Sequence, residues 1–519
     1  MASDIDDLIA SHRRPPRSPR WDERDAWLIT YADMFGPDGL TAVGSVMDGL
    51  GDAFNGVHVL PFHPSSSDGG FSVMDYDRVD PTVGDWADVA RLAAGRRLMA
   101  DAVVNHVSAQ GRWFREWATG DRDGFFREIE PGSDLATIVR PRPGLPVARV
   151  ERAGRAVDVW ATFSVDQVDL DYRTPAVLLE VTRALLAFVA RGASAIRLDA
   201  VAFLWKEPGR PSIHEPETHA IVAVLRSVLH EVDPGIVLIT ETNVPHEDNI
   251  SYFGSDAAPE AHAVYQFTLP PLTLHAVQTG DTRPLVRWLR SLEERPSDQT
   301  FMNFLASHDG VGVRPARGWL DGEQIEALGE RCRAVGGVVN EAAVTGEDGS
   351  LRTEPYELAA TWFELCRAGT TTQGAAARHM ASHAIMLALA GIPLVYSHSL
   401  TMGRNDRGRA SASGVSRDLN RARYADAATF LTLARQTAGG RVLDMLSTRA
   451  ASAAFHPGSP QRVLDAPDGV IAIARGSGAD QALVVVNCTD VSRRVELPDR
   501  LVDVAPYGVD WAIPGVDAG

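Results

Sequence analysis

The sequence predicts an α/β fold, a (β/α)8 TIM barrel with inserted subdomains and a small C-terminal antiparallel β domain. Three observations support this prediction: short continuous apolar runs, helical stretches between them, and eight such runs in chain order. Continuous apolar strands are typical of a parallel sheet buried on both faces, and intervening helices indicate repeated βα units. A doubly wound sheet is the alternative at the level of pattern alone.

The eight apolar runs give the expected positions of the barrel strands. They are AWLITY (26–31), GVHVLP (56–61), LMADAVVNH (98–106), SAIRLDA (194–200), GIVLITE (235–241), AVYQFTL (263–269), TFMNFLA (300–306) and GIPLVY (391–396). A helical stretch such as AVLLEVTRALLAFVARG (176–192) lies between two of them.

The spacing of the runs is uneven, which predicts insertions into the barrel. The third run ends at His106 and the fourth begins at Ser194, with only the last part of the gap helical in pattern. We therefore expect an inserted subdomain at about residues 107–170. A second long gap predicts an insertion at about residues 310–375.

The two ends of the chain differ from the barrel pattern. Residues 1–20 are polar and contain RRPPRSPR, which predicts a loose N-terminal arm before a catalytic barrel at residues 21–440. VIAIARG (470–476) and QALVVVNCT (481–489) have the pattern of antiparallel strands around a turn. Residues 441–519 are therefore expected to form the β domain.

Composition narrows the class of protein. The formal net charge of -18 argues against a nucleic-acid partner, which requires a basic surface. The three cysteines are widely spaced and form no CxxC pair, which argues against a structural zinc and favours a reducing cytoplasm. The N-terminus lacks the apolar stretch of a signal peptide, and no apolar run reaches the ~18 residues of a membrane span. We expect a cytoplasmic monomer or homodimer with no membrane association.

Polar residues gather at the predicted carboxyl ends of the strands. In a TIM barrel these ends carry the catalytic residues. A single strand-end aspartate can instead cap the following helix, but a set at one rim favours an active site. The set comprises Tyr31, Asp33, Asn105, His106, Arg197, Asp199, Glu241, His308 and Asp309.

Two carboxylates are the minimum for chemistry on a glycosidic bond. One attacks the anomeric carbon or activates water, and the other protonates the leaving oxygen. Arg197 lies two residues before Asp199 and shares its face of the strand, where it can hold that carboxylate ionised. The residues alone leave the separate roles of the carboxylates open.

Four segments resemble the signature regions of glycoside hydrolase family 13. They are DAVVNH (101–106), AIRLDAVAF (195–203), ITETNVPH (239–246) and ASHDG (306–310), in the order found in that family. The resemblance implies Asp199 as nucleophile, Glu241 as general acid/base and Asp309 as transition-state stabiliser. It also implies substrate binding by Arg197, His106, His308 and Phe203, and no metal or organic cofactor. A calcium ion near Asn105, known in many members, is not expected, because the inserted segment shows no convincing carboxylate cluster.

Within that family the chain is most similar to the sucrose phosphorylase-like group. LITYAD (28–33), VHVLPF (57–62), DGGFSVMDY (68–76), RPRPGLP (140–146) and LPPLTLHAVQTG (269–280) carry this resemblance. It implies that Asp68, paired with Arg421, binds distal hydroxyls of a glucosyl ring, and that Phe71 is an aromatic platform. Core packing is the other interpretation of Phe71. Tyr356, in PYELAATWFEL (355–365), resembles a substrate-binding loop position of the group.

Other segments are closer to the glucosylglycerate phosphorylases of the group. LPFHPSSSDGGFSVMDY (60–76), WKEPGRPSIHEPETH (205–219), ETNVPHEDNISYFG (241–254) and NFLASHDGVGVRPARGWL (303–320) carry this resemblance. It implies retaining phosphorolysis of 2-O-α-D-glucosyl-D-glycerate by inorganic phosphate, through a covalent β-glucosyl-enzyme, to α-D-glucose 1-phosphate.

Both the acceptor and phosphate are anions, so arginines are expected near the mouth of the site. About a third of the candidates should face the site, and the others are expected to be solvated surface residues. The candidates are Arg142, Arg314, Arg317, Arg404, Arg407, Arg409 and Arg417.

Departures from the group's pattern leave the acceptor open. The loop around Tyr356 has Ala359, Ala360 and Trp362 where related members tend to have polar residues or tyrosine, and RPRPGLP better matches sucrose phosphorylases. Sucrose, sucrose 6-phosphate and glucosylglycerol are therefore alternative substrates. A family 13 hydrolase and, more remotely, a non-catalytic binding module are the alternative functions.

Overall fold

The computed structural model describes residues 2–15, 20–141, 144–345, 351–497 and 500–514. Its centre is a closed barrel of eight parallel strands in chain order, which confirms the predicted barrel over the doubly wound sheet. The strands are β1 (Trp27–Thr30), β2 (Gly56–Val59), β3 (Arg97–Val103), β4 (Ala195–Asp199), β5 (Val237–Thr240), β6 (Ala263–Tyr265), β7 (Thr300–Phe304) and β8 (Ile392–Tyr396). Nearly every residue of these strands is buried, as expected for a sheet covered on both faces.

Helices surround the barrel and connect its strands. Two of them begin with capping boxes, in which the side chains of Asp85 and Asp321 accept hydrogen bonds from the first helical turn. Within the described residues, no helix is long and apolar enough to span a bilayer. The helices are Ala2–His12, Gly39–Leu50, Trp86–Ala93, Arg112–Thr119, Pro175–Ala190, Pro216–Val232, His246–Ile250, Leu269–Thr279, Arg283–Ser291, Gly322–Ala334, Trp362–Arg367, Thr372–Ala388, Ser397–Thr401, Arg407–Ser413, Ala427–Gln436 and Gly439–Ala450.

The gap between β3 and β4 holds short antiparallel strands. His106–Ser108 pairs with Gln167–Asp169, and this register places His106 opposite Asp169. A hairpin of Val147–Arg152 and Arg155–Trp160 completes this segment. The first pair carries residues of the insertion back to the end of β3, beside the mouth of the barrel.

The segment after β7 forms a second small sheet. Val311–Gly312 pairs with Leu351–Ala359, which in turn pairs with Val338–Thr345, all antiparallel. A two-stranded ribbon, Gly254–Ser255 with Ala258–Pro259, follows β5.

The C-terminal segment is an antiparallel β domain, as predicted. Gln461–Leu464, Val470–Arg475, Ala482–Asn487 and Val509–Ala512 form one sheet, and Arg493–Glu496 pairs with Leu501–Val504. The β structure begins later than the expected residue 441, because helix Gly439–Ala450 packs against the helices around the barrel.

The N-terminus differs from the expected loose arm. Residues Ala2–His12 form a helix that packs against Pro175–Ala190 and Pro216–Val232. Ile5, Leu8 and Ile9 have the i, i+3, i+4 spacing of one helical face, and Ile9 is buried. The expectation of a loose arm is therefore wrong for this helix, while residues 16–19 lie outside the described part.

Candidate active site

A cavity opens at the carboxyl ends of the barrel strands. It encloses about 810 Å³, counted out to its open mouth. The residues that line it come from strand ends, both insertions and the segment after β8. They are Asp68, Phe71, His106, Pro141, Phe163, Gln167, Asp199, Ala200, Ala202, Phe203, Glu241, Thr242, Asn243, Val244, Phe267, His308, Asp309, Gly310, Arg314, Tyr356, Glu357 and Arg417.

Asp199 is the last residue of β4 and is held by Arg197 on the same strand. The Arg197 guanidinium donates to Asp199 Oδ1 at 2.8 Å and to Asp101 Oδ1 at 2.7 Å. His58 Nε2 lies 2.9 Å from the other oxygen of Asp101. Arg197 is not among the residues that line the cavity, so it acts by positioning Asp199. This chain of contacts fixes the orientation of the Asp199 carboxylate, and the charge of Arg197 opposes the rise in its pKa that burial causes.

Glu241 follows β5 and faces Asp199 across the cavity floor. The backbone N–H of Ala200 donates to Glu241 Oε2 at 2.9 Å, and the nearest nitrogen of Arg197 is 3.8 Å from that oxygen. Burial, reinforced by the charges of Asp309 and Asp101, raises the pKa of Glu241. Each carboxyl accepts one described hydrogen bond, Asp199 from a guanidinium and Glu241 from a neutral backbone amide, so Glu241 can keep its proton more readily than Asp199.

Asp309 lies at the third side of the cavity and is held by two other arginines. Arg417 is 2.8 Å from Asp309 Oδ1, and Arg421 is 3.7 Å from the same oxygen. Arg421 is also 3.5 Å from Asp68, and Arg417 pairs with Glu357 at 2.7 Å. Asp68 and Asp309 thus share Arg421, and both carboxylates line the cavity, where sugar hydroxyls can donate to them.

The turn that carries Asp68 requires glycine beside it. Gly69 has φ +61°, and a Cβ at this position would lie 2.7 Å from Arg421 Nη1. Glycine both adopts this left-handed backbone and lets the guanidinium approach Asp68.

Two rings form the adjoining wall. Phe71 stacks on His308 with centroids 4.7 Å apart and an interplanar angle of 7°, and it also lines the cavity. The ring is therefore packed in the core and also reaches the cavity, and its role as an aromatic platform for a sugar stays a prediction. His106 Nε2 lies 3.0 Å from the carbonyl of Phe71 and 3.1 Å from Gln167 Nε2.

Comparisons with known proteins agree with this arrangement. A family model described as the catalytic domain of alpha amylase matches residues 47–313. A glucosylglycerate phosphorylase of Spirochaeta thermophila is 42% identical over 516 residues, which cover 96% of this chain and 86% of that protein. The chain belongs to the alpha-amylase family, glycoside hydrolase family 13.

Two further relatives show where this chain lies within the alpha-amylase family. A sucrose phosphorylase of Agrobacterium vitis is 33% identical over 425 residues, covering 77% of this chain and 82% of that protein. The crystal structure of sucrose 6F-phosphate phosphorylase from Thermoanaerobacter thermosaccharolyticum superposes with a TM-score of 0.80 at 23% identity, covering 93% and 98% of the two chains. The chain therefore lies in the sucrose phosphorylase-like group of the family, as the resemblance predicts.

Two other predicted site residues, Phe203 and Tyr356, also line the cavity. Arg142 lies outside the described residues. Asp33, at the end of β1, is not among the lining residues and pairs with Arg423 at 2.8 Å.

The six described candidate arginines are unequally placed. Arg314 and Arg417 line the cavity. The others are engaged elsewhere: Arg317 with Glu354, Arg404 with Glu364, Arg407 with the carbonyl of Val335, and Arg409 with Asp418.

Lys206 is the one lysine of the sequence, beside 49 arginines, and it lies near the site in a cage of oxygen atoms. Its ammonium donates to Asn105 Oδ1 at 2.7 Å and lies 3.2 Å from Asp169 Oδ2. The carbonyls of Asn105, Leu170 and Leu204 surround it at 3.4 to 3.5 Å. The side-chain oxygens of Asn105 and Asp169 are the atoms that could coordinate a metal ion here. Both already contact the Lys206 ammonium group. Within the described chain, no group of three or more His, Cys, Asp or Glu side chains could hold a metal ion.

Sequence reasoning did not identify several residues of the cavity. Gln167 and Phe163 come from the first insertion, Glu357 from the strand Leu351–Ala359 of the second, and Asn243 from the loop after β5. Their positions depend on how the insertions fold back, for which the strand pattern holds no signal. The cage around Lys206 could have been suspected, because a lone lysine in an arginine-rich chain is unusual.

Proposed function

We propose that this protein is a retaining α-glucoside phosphorylase that acts on 2-O-α-D-glucosyl-D-glycerate and inorganic phosphate. The products are α-D-glucose 1-phosphate and D-glycerate. The observation that carries the proposal is one cavity in which Asp199 and Glu241 share a single arginine but differ in their hydrogen-bond partners. The 42% identity to a glucosylglycerate phosphorylase, against 33% to a sucrose phosphorylase, supports the choice of acceptor.

The two carboxyls divide the roles of nucleophile and acid. Burial raises the pKa of both Asp199 and Glu241, and their mutual repulsion favours one negative charge on the pair. Arg197 donates to Asp199 at 2.8 Å but stands 3.8 Å from Glu241. The charge is therefore more stable on Asp199, and the proton on Glu241.

In the first half-reaction, a carboxylate oxygen of Asp199 attacks the anomeric carbon. The bond from that carbon to the glycerate oxygen breaks, and Glu241 donates its proton to this oxygen. The result is a β-glucosyl ester of Asp199, free D-glycerate and an ionised Glu241.

In the second half-reaction, an oxygen of phosphate attacks the anomeric carbon from the side that glycerate has left. Glu241 accepts the proton of the attacking phosphate, and Asp199 leaves as a carboxylate. Two inversions give net retention, so the product is the α-phosphate. Asp309 and Asp68 accept hydrogen bonds from the glucosyl hydroxyls, which strengthen as positive charge develops on the ring. The mechanism needs no metal or organic cofactor.

Release of glucose 1-phosphate from a panel of glucosides tests the proposal. The purified protein is incubated with phosphate and glucosylglycerate, glucosylglycerol, sucrose or sucrose 6-phosphate, and glucose 1-phosphate is measured. We expect the highest kcat/KM with glucosylglycerate and no turnover by Asp199→Asn. Higher kcat/KM with another glucoside would refute the acceptor, and phosphate-independent release of glucose would indicate a hydrolase.

A further inference from the structure

One wall of the cavity lies beside Glu241, where the acceptor oxygen has to be protonated. Asn243 and Val244 lie two and three residues after Glu241, and Arg314 and Tyr356 also line the cavity. The strand Val311–Gly312 presses against it, since a Cβ on Gly312 would lie 2.4 Å from Asn243 Oδ1. Because Glu241 protonates the departing group, the acceptor has to contact this wall when its bond to glucose breaks.

Arg314 differs from the other described arginines considered for anion binding. Arg417 already has two carboxylates, Asp309 and Glu357, and Arg317 has Glu354. Arg314 forms no ion pair and no side-chain hydrogen bond with any residue that the structure describes, yet it lines the cavity. It is thus a cation on the acceptor side that has no anion of its own within the described chain.

The surroundings of Arg314 compensate its charge only in part. Burial lowers the pKa of Arg314 and the charge of Arg317 lowers it further, while Tyr356 and the exposed Asp248 act in the opposite direction. An arginine remains protonated under such conditions. The neighbouring His214 is neutral at pH 7, because burial lowers its pKa to about 4. Asn243 also lines the cavity, and its side-chain oxygen is buried and accepts no hydrogen bond from the described residues.

We propose that Arg314 binds the carboxylate of the acceptor and selects an anionic acceptor over a neutral one. This inference rests on the proposed function. A guanidinium matches a carboxylate through two parallel hydrogen bonds, and Asn243 can accept a bond from an acceptor hydroxyl. One unpaired arginine balances the single charge of a carboxylate, whereas a phosphate dianion calls for more than one cation. We therefore assign Arg314 to the acceptor carboxylate and not to phosphate.

Two substrates that differ only at the recognised group test the proposal. In 2-O-α-D-glucosylglycerol, a CH2OH group replaces the carboxylate of 2-O-α-D-glucosyl-D-glycerate. For Arg314→Met we expect kcat/KM with glucosylglycerate to fall at least about 30-fold, the lower range for truncating one partner of a buried charge pair. With glucosylglycerol it should stay within about threefold, since no charge pair is lost. Arg314→Lys, which keeps the charge, should retain part of the preference.

Arg287→Met provides the matched control. Arg287 is exposed and donates only to the carbonyls of Gly318 and Trp319 in the same segment. We expect its kinetics on both substrates to equal those of the unaltered protein. α-D-Glucosyl fluoride with phosphate isolates the second half-reaction, because fluoride leaves without needing an acceptor site.

The outcomes separate the alternatives. Equal loss on both glucosides would overturn the carboxylate assignment. A raised KM for phosphate with α-glucosyl fluoride would assign Arg314 to phosphate instead. Absence of glucose 1-phosphate from α-glucosyl fluoride and phosphate with the unaltered protein would overturn the proposed function and this inference with it. If only the role of Arg314 is wrong, the unaltered protein still forms glucose 1-phosphate from α-glucosyl fluoride and phosphate. This reaction therefore distinguishes failure of the inference from failure of the proposed function.

Discussion

Replacing Lys206 by methionine is expected to destabilise the fold, although the two side chains have similar volume. The Lys206 ammonium donates to Asn105 at 2.7 Å and pairs with Asp169 at 3.2 Å, and both groups are buried. Methionine supplies neither the charge nor the donors. Asp169 would then be a buried carboxylate without its cation, and the oxygen atoms of the cage would lose their donor.

The magnitude follows from what remains around Asp169. Removing one partner of a buried ion pair costs about 3–5 kcal/mol. Asp169 keeps hydrogen bonds from the backbone and hydroxyl of Thr162, at 3.1 and 2.5 Å, which places the cost near the lower end. With ~2.1 cal/mol/K of unfolding entropy per residue, 519 residues that unfold together give roughly 1.1 kcal/mol/K. A loss of about 3 kcal/mol then lowers the melting temperature by about 3 °C.

Differential scanning calorimetry of a double-mutant cycle measures this effect. Asp169→Asn in the Lys206→Met background removes the unpaired charge and should recover part of the lost melting temperature. Because Lys206 is the one lysine, mass spectrometry after treatment with an amine-acylating reagent reports opening of the cage. Apart from any α-amino group, the native protein should resist acylation and the denatured protein should take one label. An unchanged melting temperature for Lys206→Met, or rapid labelling of the native protein, would refute the reasoning.

Two further predictions concern the cavity. Burial raises the pKa of Glu241, and its protonated form is the one required, so kcat/KM for glucosylglycerate should fall as pH rises through that pKa. Glu241→Gln should abolish this fall of kcat/KM at high pH, and azide should speed turnover of the glucosyl-enzyme of this variant. If the fall persists in Glu241→Gln, Glu241 is not the general acid. Gly69→Ala, whose Cβ would lie 2.7 Å from Arg421 Nη1, should raise KM for α-glucosyl fluoride about tenfold, from a strain of ~1–3 kcal/mol. An unchanged KM in a correctly folded variant would show that the Asp68–Arg421 pair does not bind the ring.

The barrel and its carboxylates could be predicted because the signals are local. Each strand is a short apolar run, and the polar residue that ends it, such as Asp199 or Glu241, lies next to it in the chain. The parallel topology then brings those ends to one rim, so strand order alone places the residues near each other. The helix at Ala2–His12 escaped prediction because the prolines and arginines that follow it dominated the composition of residues 1–20.

The remainder of the site depends on long-range folding. Gln167 reaches the cavity through an antiparallel pairing with the segment that ends at Ser108. Arg417 was one of four arginines of its loop that were candidates for anion binding, and only tertiary contacts place it, rather than Arg404, beside Asp309. Such pairings join residues far apart in the sequence, and their register carries no periodic signal.

The balance of charge around the cavity connects the mechanism to the choice of acceptor. Below the glucosyl ring, one cation, Arg197, faces two anions, Asp101 and Asp199, while His58 stays neutral because burial lowers its pKa. In a second cluster, the three arginines at 409, 417 and 421 face the four carboxylates at 68, 309, 357 and 418. Each cluster thus carries one excess negative charge, which stabilises a ring that becomes positive in the transition state. The same charges repel an anionic acceptor, so such an acceptor needs a cation of its own, and Arg314 lines the cavity without a carboxylate partner within the described chain.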